Sequence, residues 1–340
     1  MQYCQLLFIF FITTALSILT SCEFFPPRDE PLVSEYTNDI GMTFRAVPPG
    51  TFKIGQRNDR GGLEFIGPDE ARHTVKLTKF IYVQTTEVTQ NQWLIVMGGD
   101  NPSYFDRCGD NCPVESITWY QAIEFCNRLS DREGLTRAYN IRTEGDITTA
   151  DWNQSADGYR LPTEAEWEVM ARGSHGQNEL SSTGPLGHVV EYDGLEYTWT
   201  GRLYERSGRY DYSNCSVRNA TPEIDPYLNA ISWFCGNSDM ITHQVATKAM
   251  HAFGTYDTHG NVWEWCWDWY DRYEFSTPDE AVVDPTGPSE RPSGTLQSRV
   301  KRGCSYEEPP VDCRSANRFF MKPEEADRKT GFRTVRYLFP

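Results

Sequence analysis

Apolar residues fall along this chain in three regimes. Leu6 to Leu19 is an almost unbroken apolar run, too short and too near the start for a comfortable spanning helix. Residues 39 to 56 then alternate apolar with polar around Pro48-Pro49-Gly50, a pattern that predicts a hairpin, and Thr74 to Val83 alternates again as a further strand. Helical spacing follows. Thr89 to Met97 predicts a short helix behind a threonine cap, and Ser116 to Leu129 a longer one with Ile117, Tyr120, Ile123 and Phe125 inward. Thr163 to Arg172 has the clearest start, because Pro162 precedes Thr163 and Glu166 stands three residues on, as in a capping box. Trp167 and Met170 then face the core together at i and i+3. Beyond about residue 173 the pattern turns to loops and short strands. No repeat and no linker interrupts residues 39 to 336, so they read as one domain.

Composition sharpens this picture. Of 340 residues, 39% are hydrophobic and 14% aromatic, enough for a sizeable core. The 26 Gly and 20 Pro beside 10 Trp and 18 Tyr suit a loop-rich α+β fold pinned by aromatic rings better than a helical bundle. Acids outnumber bases 48 to 32, and the net charge of −16 argues against a general nucleic-acid binder. A mean hydropathy of −0.59 excludes a polytopic membrane protein.

The apolar run closes on Leu19-Thr20-Ser21-Cys22, which resembles a bacterial lipobox, although Met1 to Gln5 carries no Lys or Arg. That resemblance implies a signal peptide over residues 1–21, a diacylglycerol on Cys22, a cell-envelope location at the outer membrane or periplasmic face, and membrane attachment by burial of acyl chains. Residues 22–38, with Pro26, Pro27 and Pro31, read as a tether to a domain over 39–340. Without Cys4 and Cys22, eight cysteines remain, and an even count in an exported chain favours disulfides. Cys108-Gly-Asp-Asn-Cys112 is the clearest pair, since Gly109 and Asn111 allow the tight turn; the partners of the other six stay open.

Several segments, in order, carry a resemblance. They include Pro49-Gly50-Thr51-Phe52, Thr86-Glu87-Val88-Thr89, Asn111-Cys112-Pro113-Val114-Glu115, and Tyr159-Arg160-Leu161-Pro162-Thr163-Glu164-Ala165-Glu166-Trp167. Further on stand Gly260-Asn261-Val262-Trp263-Glu264-Trp265, Arg299-Val300-Lys301-Arg302-Gly303, Cys313-Arg314-Ser315-Ala316-Asn317-Arg318 and Gly331-Phe332-Arg333. Together they resemble the formylglycine-generating enzyme family, also called the sulfatase-modifying factor domain. The resemblance implies a C-type-lectin-like fold: a small sheet, a few short helices and many loops. Arg302, Arg314, Arg318 and Arg333 are expected to form internal pairs with the many acids rather than to bind phosphate.

It also implies two metal sites. In the family the Gly-Asn-Val-Trp-Glu-Trp segment binds calcium, which would assign the Glu264 side chain and the carbonyls of His259, Gly260 and Val262; the alternative is that Glu264 pairs with an arginine. The family's oxidase holds Cu(I) between two cysteines after a Gly-Gly-Ser motif and converts a sulfatase cysteine to formylglycine with O₂. Here Cys304 replaces the second Gly, Glu308 stands where the first catalytic cysteine is expected, and Cys313 fits the second. Cys304 and Cys313 are therefore candidates either for a displaced copper site or for a simpler structural disulfide. The leading expectation is an envelope lipoprotein without the usual copper pair. It would bind a protein or glycan through aromatic, acidic loops around Trp263, Trp265, Trp267, Trp269 and Tyr270, for which core packing is the alternative; the acidic segments 222–226 and 278–284 are open to a simpler reading as solvated loops. The alternative is a true oxidase acting on a sulfatase.

Overall fold

The computed structural model describes residues 35–55, 70–172, 188–192, 195–199, 215, 226–251, 253–273, 280–293 and 297–338. The signal run, Cys22 and the acidic segment 222–225 lie outside the described residues.

The first strands are β1 (Glu35–Thr37), β2 (Thr43–Val47), β3 (Gly50–Ile54), β4 (His73–Leu77) and β5 (Ile81–Gln84). The expected hairpin over 39–56 does not form. β2 pairs with β1 and β5, whereas β3 pairs with β4, so Pro48-Pro49 sends the chain from one sheet to another. The single strand expected over Thr74 to Val83 is likewise β4 and β5, split between those sheets. Alternation predicts strand and face, but it is silent on partners, which packing decides.

Helix α1 (Gln90–Met97) starts behind the expected cap, Thr89, whereas α2 (Trp119–Arg132) starts behind Thr118 rather than at Ser116 and runs past Leu129; each cap closes a capping box with a glutamine three residues on. Ile117, Ile123 and Phe125 are buried as expected, and Tyr120 is half-buried. Strands β6 (Tyr139–Glu144) and β7 (Ile147–Trp152) form a hairpin. After α3 (Glu164–Arg172) come β8 (His188–Tyr192), β9 (Leu195–Trp199), α4 (Pro226–Ile231), β10 (Trp263–Trp269), β11 (Ala281–Val283) and β12 (Arg299–Arg302). Three short strands end the chain: β13 (Phe319–Met321), β14 (Thr330–Gly331) and β15 (Val335–Tyr337). The sheets run β1-β2-β5-β15, β13-β12-β10-β14 and β11-β4-β3, beside the two hairpins. Short helices, small sheets and long connections make this the α+β, C-type-lectin-like arrangement.

What fills the interior is unusual in its polarity. Every residue of α3 from Glu164 to Ala171 is buried, three glutamates included. Each acid has an arginine. Arg160 grips Glu166 through two bonds of 2.6 and 2.7 Å, while Arg318 grips Glu164 at 2.7 and 2.8 Å. Arg302 reaches Glu168 at 2.5 Å and spends its other N–H groups on the carbonyls of Ser315, Ala316 and Asn317. Arg172 closes on Glu168 from the end of the same helix at 2.6 Å. Burial raises the Glu168 pKa, but Arg172 and Arg302 outweigh burial and hold the carboxyl below its ordinary range. Glu166 also caps its own helix, accepting from the Thr163 N–H at 2.9 Å. The four arginines assigned to internal pairs thus find them: Arg302 and Arg318 here, Arg314 on Glu70 and Arg333 on Glu264.

Removing one charge from such a pair leaves the other buried alone, at a cost of about 3–5 kcal/mol. Glu168→Gln is expected to lose on that order in a urea unfolding titration. Arg128→Ala, which breaks an exposed i,i+4 pair with Glu124, is expected to lose less than about 0.5 kcal/mol in the same measurement.

Candidate functional site

The loop after β12 carries the candidate reactive residues. Gly303 takes φ +98° and brings the backbone against Trp167, whose ring lies 3.0 Å from where a Cβ would stand. Cys304 continues in the left-handed region at φ 75°, a conformation that glycine adopts without strain and a cysteine does not. Its sulfur is joined to Cys313 in a disulfide, with the two Cα atoms 4.8 Å apart and both residues fully buried. The Cys108–Cys112 bond expected from the sequence also forms, and Cys215 pairs with Cys235. Cys126 and Cys266 are buried thiols, and burial pushes the thiol pKa of each upward.

Glu308, at the position of the first catalytic cysteine, is held as a salt-bridged acid. Its Oε1 accepts from Lys329 Nζ at 2.8 Å and from the Trp263 indole N–H at 3.4 Å. Asp312 lies on the same loop, and burial first, then the Glu308 charge, push its pKa up to about 6. A joined Cys304–Cys313 pair offers no thiolate to Cu(I), and carboxylates do not replace one. The residues present do not fit the family's copper centre.

The expected calcium segment is built for a different cation. Glu264 is fully buried, and Arg333 donates to both its oxygens at 2.6 Å, with Trp167 Nε1 adding 2.8 Å. The guanidinium stands where a metal would have to sit. Other groups of the turn also bond within the protein. Asn261 N–H donates to Trp233 O, and its carbonyl accepts from Tyr306 N–H. Val262 N–H donates to Glu87 Oε1 at 3.2 Å. Gly260 has to be glycine because a Cβ there would meet the Trp233 carbonyl at 2.2 Å. His259 uses Nδ1–H to donate to the Cys313 carbonyl at 2.8 Å, and burial pulls its pKa down to about 4, so the ring is neutral. With both oxygens of Glu264 held by Arg333, the carboxylate does not fit a Ca²⁺ shell built with the carbonyls of His259, Gly260 and Val262, and the arginine alternative is the arrangement present.

Around Arg333 the structure assembles carboxylates that motif reading left without a role. Glu87 accepts from the Asn261 amide and Val262 N–H, and Asp257 accepts from Ala246 N–H at 2.7 Å. Burial, then the charges of Asp257 and Glu264, push Glu87 well above the carboxylate range, while burial pushes Asp257 up to about 6. Glu87 sits inside the Thr86-Glu87-Val88-Thr89 motif, and Asp257 stands three residues before Gly260-Asn261. An acid flanked by apolar and β-branched neighbours was the available signal.

The fold defines a sulfatase-modifying-factor domain. Comparison with known proteins agrees on the family. The sequence profile of the sulfatase-modifying factor enzyme 1-like domain matches residues 33–338, and the chain belongs to that family. It is 34% identical over 216 residues to the chaperone protein LppX of Paenibacillus barcinonensis, covering 60% of this chain and 67% of that protein. It is 30% identical over 340 residues to the formylglycine-generating enzyme of Thermomonospora curvata, covering 93% and 98%. Among solved structures, Treponema denticola variable protein 1 superposes with a TM-score of 0.65 at 27% identity, over 90% of this chain and 99% of that one. PvdO from Pseudomonas aeruginosa, at TM-score 0.57 and 22% identity over 89% and 98%, shares the fold.

A buried carboxyl whose pKa is raised by folding binds its proton more tightly in the native state. Stability then falls as pH rises from the unfolded value toward about 6, the folded value of Asp257. Glu87 extends the loss higher in the same direction. Urea unfolding from pH 4 to 8 is expected to show a declining midpoint that flattens in Asp257→Asn. With Arg333 in the cation position, neither added calcium nor a chelator is expected to shift the melting temperature.

Proposed function

We propose that this chain is a lipid-anchored envelope protein whose sulfatase-modifying-factor domain acts as a binding or accessory module rather than as a formylglycine-generating oxidase. The observation that carries this reading is the state of the reactive loop: Cys304 and Cys313 consume each other, and Glu308 is tied to Lys329 and Trp263. An oxidase of this family needs a soft thiolate pair, and the loop presents hard, neutralised oxygen in its place. The name of the LppX relative, a chaperone protein, supports a role exercised on other polypeptides. The Leu19-Thr20-Ser21-Cys22 ending of the apolar run supports anchoring by lipid on Cys22.

Aerobic incubation with Cu(I) and a peptide containing Cys-x-Pro-x-Arg, followed by mass spectrometry, is expected to leave the cysteine unconverted beside an active control enzyme. Conversion to the aldehyde that disappears in Cys313→Ser would restore the oxidase reading. Anchoring is read separately. The full-length chain expressed in a bacterium is expected to partition into detergent, and Cys22→Ser into the aqueous phase.

A further inference from the structure

Among the described residues six arginines are buried, and five of them hold a carboxylate. Arg160, Arg302, Arg314, Arg318 and Arg333 grip Glu166, Glu168, Glu70, Glu164 and Glu264 in turn. Arg299, at the start of β12 and 3% exposed, meets rings instead of an acid. Its guanidinium carbon stands 3.6 Å from the centre of the Trp269 ring, 3.9 Å from Trp119 and 4.8 Å from Trp267. Nη1 donates to the Trp267 carbonyl, and the buried Nε has no acceptor among the described residues.

Burial pulls the Arg299 pKa down to about 9, as expected of a cation that has lost its water without gaining an anion. Asp268 is the carboxyl whose charge would favour it. That group accepts from Glu164 N–H at 2.8 Å, and burial, then the Glu164 charge, push its pKa up to about 8. Asp268 is therefore protonated at neutral pH and lends Arg299 no negative charge.

The surroundings select the anion. Trp119 and Trp269 cover the faces of the guanidinium and leave its edge, where the Nε and Nη2 donors run parallel. A carboxylate meets such an edge in the guanidinium's own plane, with two hydrogen bonds, and fits between the rings. A phosphate or sulfonate would turn oxygens out of that plane and into the indoles. Tyr120, Trp267 and Trp269 around the site are each half-buried, and they offer aromatic faces to whatever body carries the carboxylate. Outside them Arg291 lies 5.4 Å from the Trp269 ring and bonds Glu324 at 3.2 Å, so an approaching anion meets a second cation on the same indole.

We propose that Arg299 and the indoles around it form a binding site for a small carboxylate borne on a flat, aromatic body. Arg299 and the reactive loop stand at opposite ends of β12, so the inference goes beyond the binding-module reading and does not depend on it.

The test titrates the full chain with benzoate at constant ionic strength, read by calorimetry. Benzamide keeps the shape without the charge, benzenesulfonate keeps the charge with a tetrahedral head, and acetate lacks the ring. Benzoate is expected to saturate, with each of the other three weaker by about tenfold or more. Arg299→Lys, which keeps the charge and loses the fork, is expected to weaken benzoate by about tenfold. If that variant melts early, Arg291→Glu takes its place, because the side chain is exposed and the melting temperature is expected to hold. An acid above Trp269 is expected to repel benzoate and weaken it by about tenfold. No saturable benzoate binding, equal binding of any of the three analogues, or unchanged affinity in the variants would each overturn the proposal.

Discussion

The buried glutamates of α3 are the constraint around which the rest of the domain is arranged. A helix with Glu164, Glu166 and Glu168 all inside has no stable existence until three arginines reach it from other parts of the chain, beside Arg172 at its own end. Arg160 comes from the preceding segment, Arg302 from β12, and Arg318 from just before β13. Arg160 and Arg318 arrive in a planar, bidentate geometry, and Arg302 with a single bond to Glu168. In a domain with little regular structure, these pairs do what long strand ladders do elsewhere: they specify which loops lie side by side. Arg302 shows how far this goes, since it binds an acid on α3 and also orders three consecutive carbonyls of the 315–317 segment.

The same chemistry accounts for the altered metal positions. Both expected metal sites occur at places where the chain brings acids and sulfurs together, and in both a covalent or ionic partner within the protein takes the ligand's role. Arg333 satisfies Glu264, and Cys304 satisfies Cys313. Lys329 satisfies Glu308 at the remaining position. On the proposed function, the scaffold is kept while the chemistry of its reactive corner is replaced, which is how one fold comes to serve unrelated functions.

Local signals were the legible part. Thr89 and Thr163 announced two helix starts because capping is decided within four residues, and Cys108–Cys112 was legible because its loop is so short. Internal pairing was legible for Arg302, Arg314, Arg318 and Arg333 as a class, since so many acids in a loop-rich core need cations. Which acid each would meet was not: Arg314 and Glu70 lie 244 residues apart in sequence. The partners of β2 and β3 were hidden for the same reason, because an alternating pattern carries no address. Arg299 gave no signal at all, since nothing local separates an arginine that meets an acid from one that meets rings.

The order of the first sheet has a consequence for how the domain comes into being. Strand β15, at residues 335–337, closes β5, which also pairs with β2 near the opposite terminus, and Arg333 just before it neutralises Glu264. Until residues 333–337 join the fold, β5 lacks one neighbour and Glu264 lacks the guanidinium that neutralises it. Those five residues act as a lock on parts of the domain laid down more than 65 residues earlier.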